Sequence, residues 1–290
     1  MGQHVDVNLH GRRSGDQGDP QAATASLAGA IDGAIDGRID GAIDGALNFY
    51  KPRGITSARA LYRIRRITGV RKSGHAGTLD PGAEGVLVVC LGQGTRLTEA
   101  WMDQPKVYRA TARLDITSES FDADGEVSEV RVEAPPTVER VRDGLDQFVG
   151  ETDQVPPSIS AIKIRGQPAY RLARRGQRPV LRARRIRIHW IHLHGYRWPE
   201  VDFELACGRG TYVRALIRDV GAALGTGGCL ISLTRTAVGP FRADRAWSFD
   251  SLEAERSRRR WLTPLPEVHS MLARRPVAIP PAPPRRPSGA

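Results

Sequence analysis

The stretch GHAGTLDPGAEGVLVVCL (residues 74–91) sets Asp80 among four glycines and a proline, then runs straight into six apolar residues. Asp-Pro-Gly is an ordinary turn sequence, and a proline biases the residue before it towards an extended backbone. The glycines also allow backbone to approach a ligand closely. Local sequence leaves a simple turn and a ligand-facing loop both open. Context favours the loop, because VLVVCL predicts a short buried strand bounded by glycines, and a rigid strand is where reactive groups are best held. A single carboxylate does not suit the paired-carboxylate chemistry of the usual glycosidases, and Glu84, four residues on, is a poor second member. It can serve as a nucleophile in covalent catalysis, provided a cation keeps it ionised and aimed.

Working outward, Ser57 is predicted to cap a helix carrying Leu61, Ile64 and Ile67, which Gly69 ends. VYRATARL (residues 107–114) and VDFELAC (201–207) alternate as half-buried strands do, with Asp202 and Glu204 on the wet face. In RIRIHWIHLH (185–194) the apolar phase slips between Trp190 and Ile191, which predicts a bulge. TYVRALIRDVGAALG (211–225) reads as a helix with Thr211 as cap, Val213, Leu216, Ile217, Val220 and Leu224 on one stripe, and Gly225 as stop. Several strands follow one another without intervening helices. This predicts an α+β fold with a mixed, largely antiparallel central sheet flanked by helices, rather than a doubly wound one.

The ends differ from the middle. Residues 30–45 repeat AIDG-like units whose glycines each cost roughly 1 kcal/mol in a helix, so residues 1–46 are expected to be a disordered leader; calcium binding by one Asp in four is disfavoured. Residues 272–290 form a Pro/Arg-rich tail expected to be solvated. The folded domain should span residues 47–271.

The formal charge of +11 points to a polyanionic partner, nucleic acid ahead of a membrane surface. With 39 Arg against 4 Lys, codon bias can account for part of this, so the placement of charge matters more than its sum. From Gln154 to Pro199 there is no Asp or Glu, while Lys163 and ten arginines fall in the same segment. A solvated face normally mixes signs, so this block reads as a phosphate-binding arm of about residues 155–187, with Tyr170 and two glycines interleaved. Cys90, Cys207 and Cys229 are odd in number and irregularly spaced, as reduced cysteines of a cytoplasmic protein would be. No apolar run is long enough to cross a bilayer or to act as a signal core, and the seven histidines show no metal-ligand spacing. GQG at residues 92–94 lacks the third glycine of a dinucleotide fingerprint, and GHAG lacks the helix that follows the GxxG loop of KH domains.

Six stretches in order resemble the TruB family of tRNA pseudouridine synthases: NFYKPRGITS, GHAGTLDPGAEGVLVVCLGQGTRLT, KVYRATARL, ISAIKIRGQPAYRLARRG, CGRGTYVRALIRDVGAALG and LISLTRTAVGPF. The likeness covers roughly residues 47–250. It implies isomerisation of the T-loop uridine of tRNA (uridine 55 in tRNA numbering) to pseudouridine, without cofactor or metal, by a cytoplasmic and by default monomeric enzyme. It further implies that Asp80 is the nucleophile, that Arg214 pairs with it, and that Lys51 braces the loop. Tyr108 would lie against the base and help move a proton, Tyr212 and Leu233 would line the uracil pocket, and His75 would enter the space left by the flipped base. The basic arm, with Lys163, Arg165, Tyr170, Arg174 and Arg175, would grip RNA. Extrusion of a uridine from a folded loop fits a pocket of aromatic and apolar side chains that offsets the lost stacking. The chain departs from the family pattern at Ser118-Glu119-Ser120, where threonines are usual before Asp122 and Gly125, and the short remainder after residue 272 implies no C-terminal PUA domain. Two other readings stay open: a non-catalytic RNA-binding or tRNA-folding protein on the same scaffold, and a synthase acting on ribosomal or guide-selected RNA.

Overall fold

The computed structural model describes residues 43–160, 163–164, 167–168, 181–255, 257–273 and 279. In chain order the elements are β1 (Gly45–Lys51), α1 (Ser57–Thr68), β2 (Ser73–Ala76), β3 (Glu84–Leu91), a 3-10 turn (Gly92–Leu97), α2 (Thr98–Asp103), β4 (Lys106–Arg113), β5 (Ile116–Ser118), β6 (Val127–Glu129), α3 (Val138–Asp146) and β7 (Gly150–Gln154). There follow β8 (Lys163–Ile164), β9 (Gln167–Pro168), β10 (Arg184–Arg197), β11 (Glu200–Cys207), α4 (Val213–Leu224), β12 (Cys229–Val238), β13 (Phe241–Arg242), α5 (Phe249–Ala254), α6 (Arg258–Trp261), β14 (Thr263–Pro264) and α7 (Leu265–Ala273). The main sheet runs β14-β1-β3-β12-β4-β11-β10-β7, with β2 and β13 as side branches. Among its described strand pairs only β3–β12 is parallel, at Glu84–Thr234 and Gly85–Arg235. This is the α+β, largely antiparallel architecture that the sequence predicts.

The run VLVVCL is a strand buried on both faces. Leu87, Val89 and Leu91 join Leu47 and Phe49 against Ala60, Leu61 and Ile64 of α1, while Val86, Val88 and Cys90 pack against Trp101, Phe241 and Val268. In the other half of the sheet, Ala110, Ala112, Phe203 and Leu205 meet Val213, Leu216, Ile217 and Val220 of α4 and Val141 and Leu145 of α3. The cysteines are free and buried. Among the described residues no helix is long and apolar enough to cross a membrane.

Both predicted helices lie where their apolar stripes put them, and Gly69 and Gly225 end them in the left-handed conformation, φ 73 and 71. Their caps differ from expectation. Thr56, not Ser57, caps α1 by accepting from the Arg59 amide. At α4 the capping position is Tyr212, whose side chain makes no capping bond, and the Thr211 hydroxyl donates to the Gly208 carbonyl instead. The bulge in β10 falls between Ile188 and Trp190, with a second register shift between Leu193 and Gly195. β1 starts at Gly45, two residues ahead of the expected domain boundary, because Gly45 and Ala46 pair with both β3 and β14.

Candidate functional site

The backbone around Asp80 is fastened at nearly every residue. The Ser57 hydroxyl accepts from the Leu79 amide and donates to the Leu79 carbonyl, both at 2.9 Å. The Gly54 amide donates to Pro81 at 2.8 Å, and the Ala83 amide donates to the Asp80 carbonyl at 3.1 Å. Ser57 thus gives up the cap of its own helix to hold the loop. Gly85 is required by contact and conformation: at φ 104, a Cβ there would lie 2.3 Å from the Arg235 carbonyl, whereas one on Gly82 would meet only the Asp124 side chain, at 2.0 Å.

The loop presents Asp80 to an open cleft of about 300 Å³, solvent at its mouth included, whose walls include Ala83, Asp122, Arg214, Leu230 and Leu233. Arg214 comes from the first turn of α4, and its guanidinium sits 2.9 Å from one Asp80 oxygen and 3.3 Å from Asp122. It also donates to the carbonyls of Ser120 at 2.7 Å and Ile159 at 3.1 Å. Only 5% of the Arg214 side chain is exposed against 41% of Asp80, so a fixed buried cation aims a reachable carboxylate. A charge-assisted pair of this kind is stronger than a neutral hydrogen bond, and the guanidinium fork fixes direction as well as distance.

The segment that departs from the family pattern is what closes this arrangement. Phe121 takes φ 61, rare for a side chain other than glycine. Its carbonyl accepts from the Leu230 amide, its ring lies 4.9 Å from the Arg218 guanidinium, and the turn carries Asp122 to Arg214. Asp122 is a site residue that sequence reading noted only as part of a loop.

Behind the cleft lies a set of enclosed cations. Lys51 is fully buried and donates to the carbonyls of Pro52 and Ile55 at 2.9 and 2.8 Å, as a brace on the loop before α1. Burial pushes its amine down to about 8, partly opposed by the negative charge of Asp80. Arg235, 1% exposed, donates to the carbonyls of Val86 and Gly77 and lies beside the phenol of Tyr108, its cross-strand partner. Burial raises the Tyr108 and Tyr212 phenols, and the charge of Asp80 adds to the rise in both. Arg235 went unnoticed in the sequence because its neighbours come from β2, β3 and β4, and nothing local marks it. Lys106 is the remaining enclosed cation, lowered to about 8 chiefly by burial.

The predicted residues therefore divide. Asp80, Arg214 and Leu233 line the cleft together; Tyr108, Tyr212 and Lys51 stand close enough to feel the Asp80 charge. His75 lies on β2 opposite Val89, half-buried, its imidazole shifted down by burial and by Arg235. Of the arm, Lys163 is placed by its backbone in β8, paired with β9; Arg165, Tyr170, Arg174 and Arg175 lie outside the described residues. The arm's last residues are not of one sign in space: β10 pairs with β7, setting Arg185 2.9 Å from Asp153 and Arg187 3.8 Å from Glu151.

Residues 65–213 match the model of the TruB family pseudouridylate synthase N-terminal domain, and residues 214–267 that of the tRNA pseudouridylate synthase B C-terminal domain. Similar curated proteins include the tRNA pseudouridine synthase B of Thermobifida fusca, 44% identical over 71% of this chain and 73% of that one. That of Mycobacterium sp. (strain KMS) is 46% identical over 71% and 70%. Among solved structures, a Cbf5-Nop10-Gar1 complex contains a chain with a TM-score of 0.61 and 26% identity, covering 79% of this chain and 62% of that one. A fold built around one fastened aspartate, and a sequence that follows its curated relatives across most of its length, lead to the same place: the chain belongs to the TruB family of pseudouridylate synthases.

Proposed function

We propose that this protein isomerises the T-loop uridine of tRNA to pseudouridine, with Asp80 as nucleophile. The reading rests on one observation above all: the Asp80 carboxylate, exposed in an open cleft, is held at 2.9 Å by a guanidinium that is itself almost wholly enclosed. Aimed charge of this kind, fixed before the substrate arrives, is what electrostatic preorganisation requires. The uridine leaves its stack and enters beside Leu233 and Ala83, where apolar contact offsets the stacking it gave up. Asp80 then bonds to the nucleotide, the C1′–N1 bond opens, the uracil turns, C1′ joins C5, and the bond to Asp80 breaks to return the free carboxylate; the C5 proton leaves and N1 gains one. No electrons are exchanged, so the isomerisation needs no redox cofactor. Burial keeps the Tyr108 phenol protonated, which suits a wall against the base and a donor of a hydrogen bond better than a general base. Lys51 braces the loop, Tyr212 and His75 border the flipped nucleotide, and the arm bearing Lys163, Arg165, Tyr170, Arg174 and Arg175 grips the T stem-loop. In this reading the protein works in the cytoplasm as a monomer, with one catalytic domain running from β1 to α7.

The test is incubation with an unmodified tRNA transcript, chemical mapping of pseudouridine, and the Asp80→Ala variant alongside. Product at the T-loop uridine, reduced by a factor of at least about 10³ in the variant, with RNA binding retained, is the expected result. Binding without product from either protein would instead support a non-catalytic RNA-binding role on the same scaffold.

A further inference from the structure

From Lys51 to Leu79 the chain carries six arginines and two lysines and no carboxylate. The helix α1 occupies the centre of this segment and fixes its shape. The buried side of α1 is formed by Ser57, Ala60, Leu61, Ile64 and Thr68. Residues spaced three, four and seven apart share a helix face, which places Arg59, Tyr62, Arg63 and Arg66 together on the opposite, exposed side. Arg71 and Lys72 continue the surface beyond Gly69.

Several of these cations have structural work: besides Lys51 and Arg53, Lys72 donates to the Gln93 side chain at 3.4 Å. Arg63 pairs with Glu253 at 2.9 Å and lies over the Phe249 ring, and Arg65 donates to the hydroxyl and carbonyl of Ser73. The side chains of Arg59, Arg66 and Arg71 have no hydrogen bond or ion pair among the described residues, and Tyr62 between them is 63% exposed. Arg66, in the last turn of α1, gains from the helix dipole, but a cation in the first turn, as at Arg59, is disfavoured by it and like charges along one face repel, so helix stability does not account for the stripe as a whole.

Its position relative to the cleft gives it a use. The N-terminal end of the segment is tied to the nucleophile loop: Gly54 and Ser57 hold Pro81 and Leu79, and Arg53 lies 3.7 Å from Asp124 on the cleft wall. From Arg59 to Arg66 the stripe extends about 10 Å along the helix axis, starting from the end of α1 that is fastened to the nucleophile loop. We propose that the exposed face of α1, with Arg59, Tyr62, Arg66 and Arg71, is a second RNA-docking surface that takes the stem phosphates of the RNA whose loop uridine occupies the cleft. This rests on the function proposed above. The arginines bind backbone charge regardless of sequence, and the Tyr62 ring lies against a ribose or an unstacked base.

The experiment compares the full chain with Arg59→Gln/Arg66→Gln/Arg71→Gln and with Tyr62→Ala, on an unmodified tRNA transcript across a range of salt concentrations. The triple variant should keep wild-type kcat at saturating RNA and raise KM about ten-fold or more near physiological salt, while the plot of log binding constant against log salt becomes shallower by about two to three. Tyr62→Ala should raise KM with the slope unchanged. On a T-loop oligonucleotide lacking the stem, the triple variant and wild type should agree. Circular dichroism verifies that α1 is intact in every variant. An unmoved KM and slope would overturn the proposal, as would an equal effect from the exposed pair Arg131→Gln/Arg140→Gln, which would reduce the result to loss of general charge. Wild-type protein that makes no pseudouridine in tRNA would refute the underlying reading, whereas product with unchanged KM in the triple variant would refute only this surface.

Discussion

Lys51 carries an amine inside the protein that, among the described residues, donates to two carbonyls and pairs with no carboxylate. Burial brings its pKa down to about 8 from the 10.5 of a free lysine amine. A base whose folded value is depressed contributes stability that is fully present above the unfolded value and is lost as pH falls through the folded one. Between pH 10.5 and about 8, wild-type protein should therefore lose roughly 3 kcal/mol relative to Lys51→Met, which has no such titration. Urea unfolding of both proteins at a series of pH values measures it, and parallel curves would show that the amine is not desolvated as its surroundings indicate. Glycines around Asp80 and the strand that follows made the nucleophile loop legible from sequence, since both signals are local. Arg235 was not legible: it meets Tyr108, Val86 and Gly77 only through pairing with strands more than a hundred residues away. Asp122 was hidden for a related reason, because its value comes from a left-handed turn at Phe121 that no residue type there announces.

Among elements, the junction of β3 with β12 is a narrow one. The described register consists of two residue pairs, and at one of them Gly85 approaches the backbone of Arg235 too closely for any side chain. Gly85→Ala combines a positive-φ cost with overpacking against backbone, so a loss of about 3 kcal/mol or more is expected, together with displacement of Arg235 and a fall in turnover. Thermal unfolding and pseudouridine assays on the variant test both parts; a stable, fully active Gly85→Ala protein would mean that the strands part easily. The helices were readable because 3.6-residue periodicity survives in α1 and α4 without any knowledge of partners. Their caps were misjudged because a hydroxyl at a helix start has two possible uses, and Ser57 is engaged by the Leu79 backbone instead. The arm looked uniformly cationic for the same reason: Glu151 and Asp153 precede it in sequence but stand across from it in β7.

For the molecule as a whole, the acidic N-terminal segment and the basic remainder set up a charge asymmetry whose consequence can be measured. The proposed chemistry uses nothing before Ile43, so deletion of residues 1–42 should leave kcat/KM on tRNA within about two-fold of wild type. A large gain at low salt would reveal electrostatic competition with RNA, and a large loss would assign the segment a part in catalysis. The deletion must stop there: Asp44 accepts from the Gln93 amide at 2.6 Å, and Gly45 begins β1.

The unequal shielding of Asp80 and Arg214 also dictates how reagents will discriminate between them. A water-soluble carbodiimide with an amine should couple to the carboxylate of Asp80, whereas a dicarbonyl that seeks guanidines should spare Arg214 and spend itself on the outer arginines. Peptide mapping after each treatment, with and without bound transcript, would turn that contrast into a footprint of the occupied cleft.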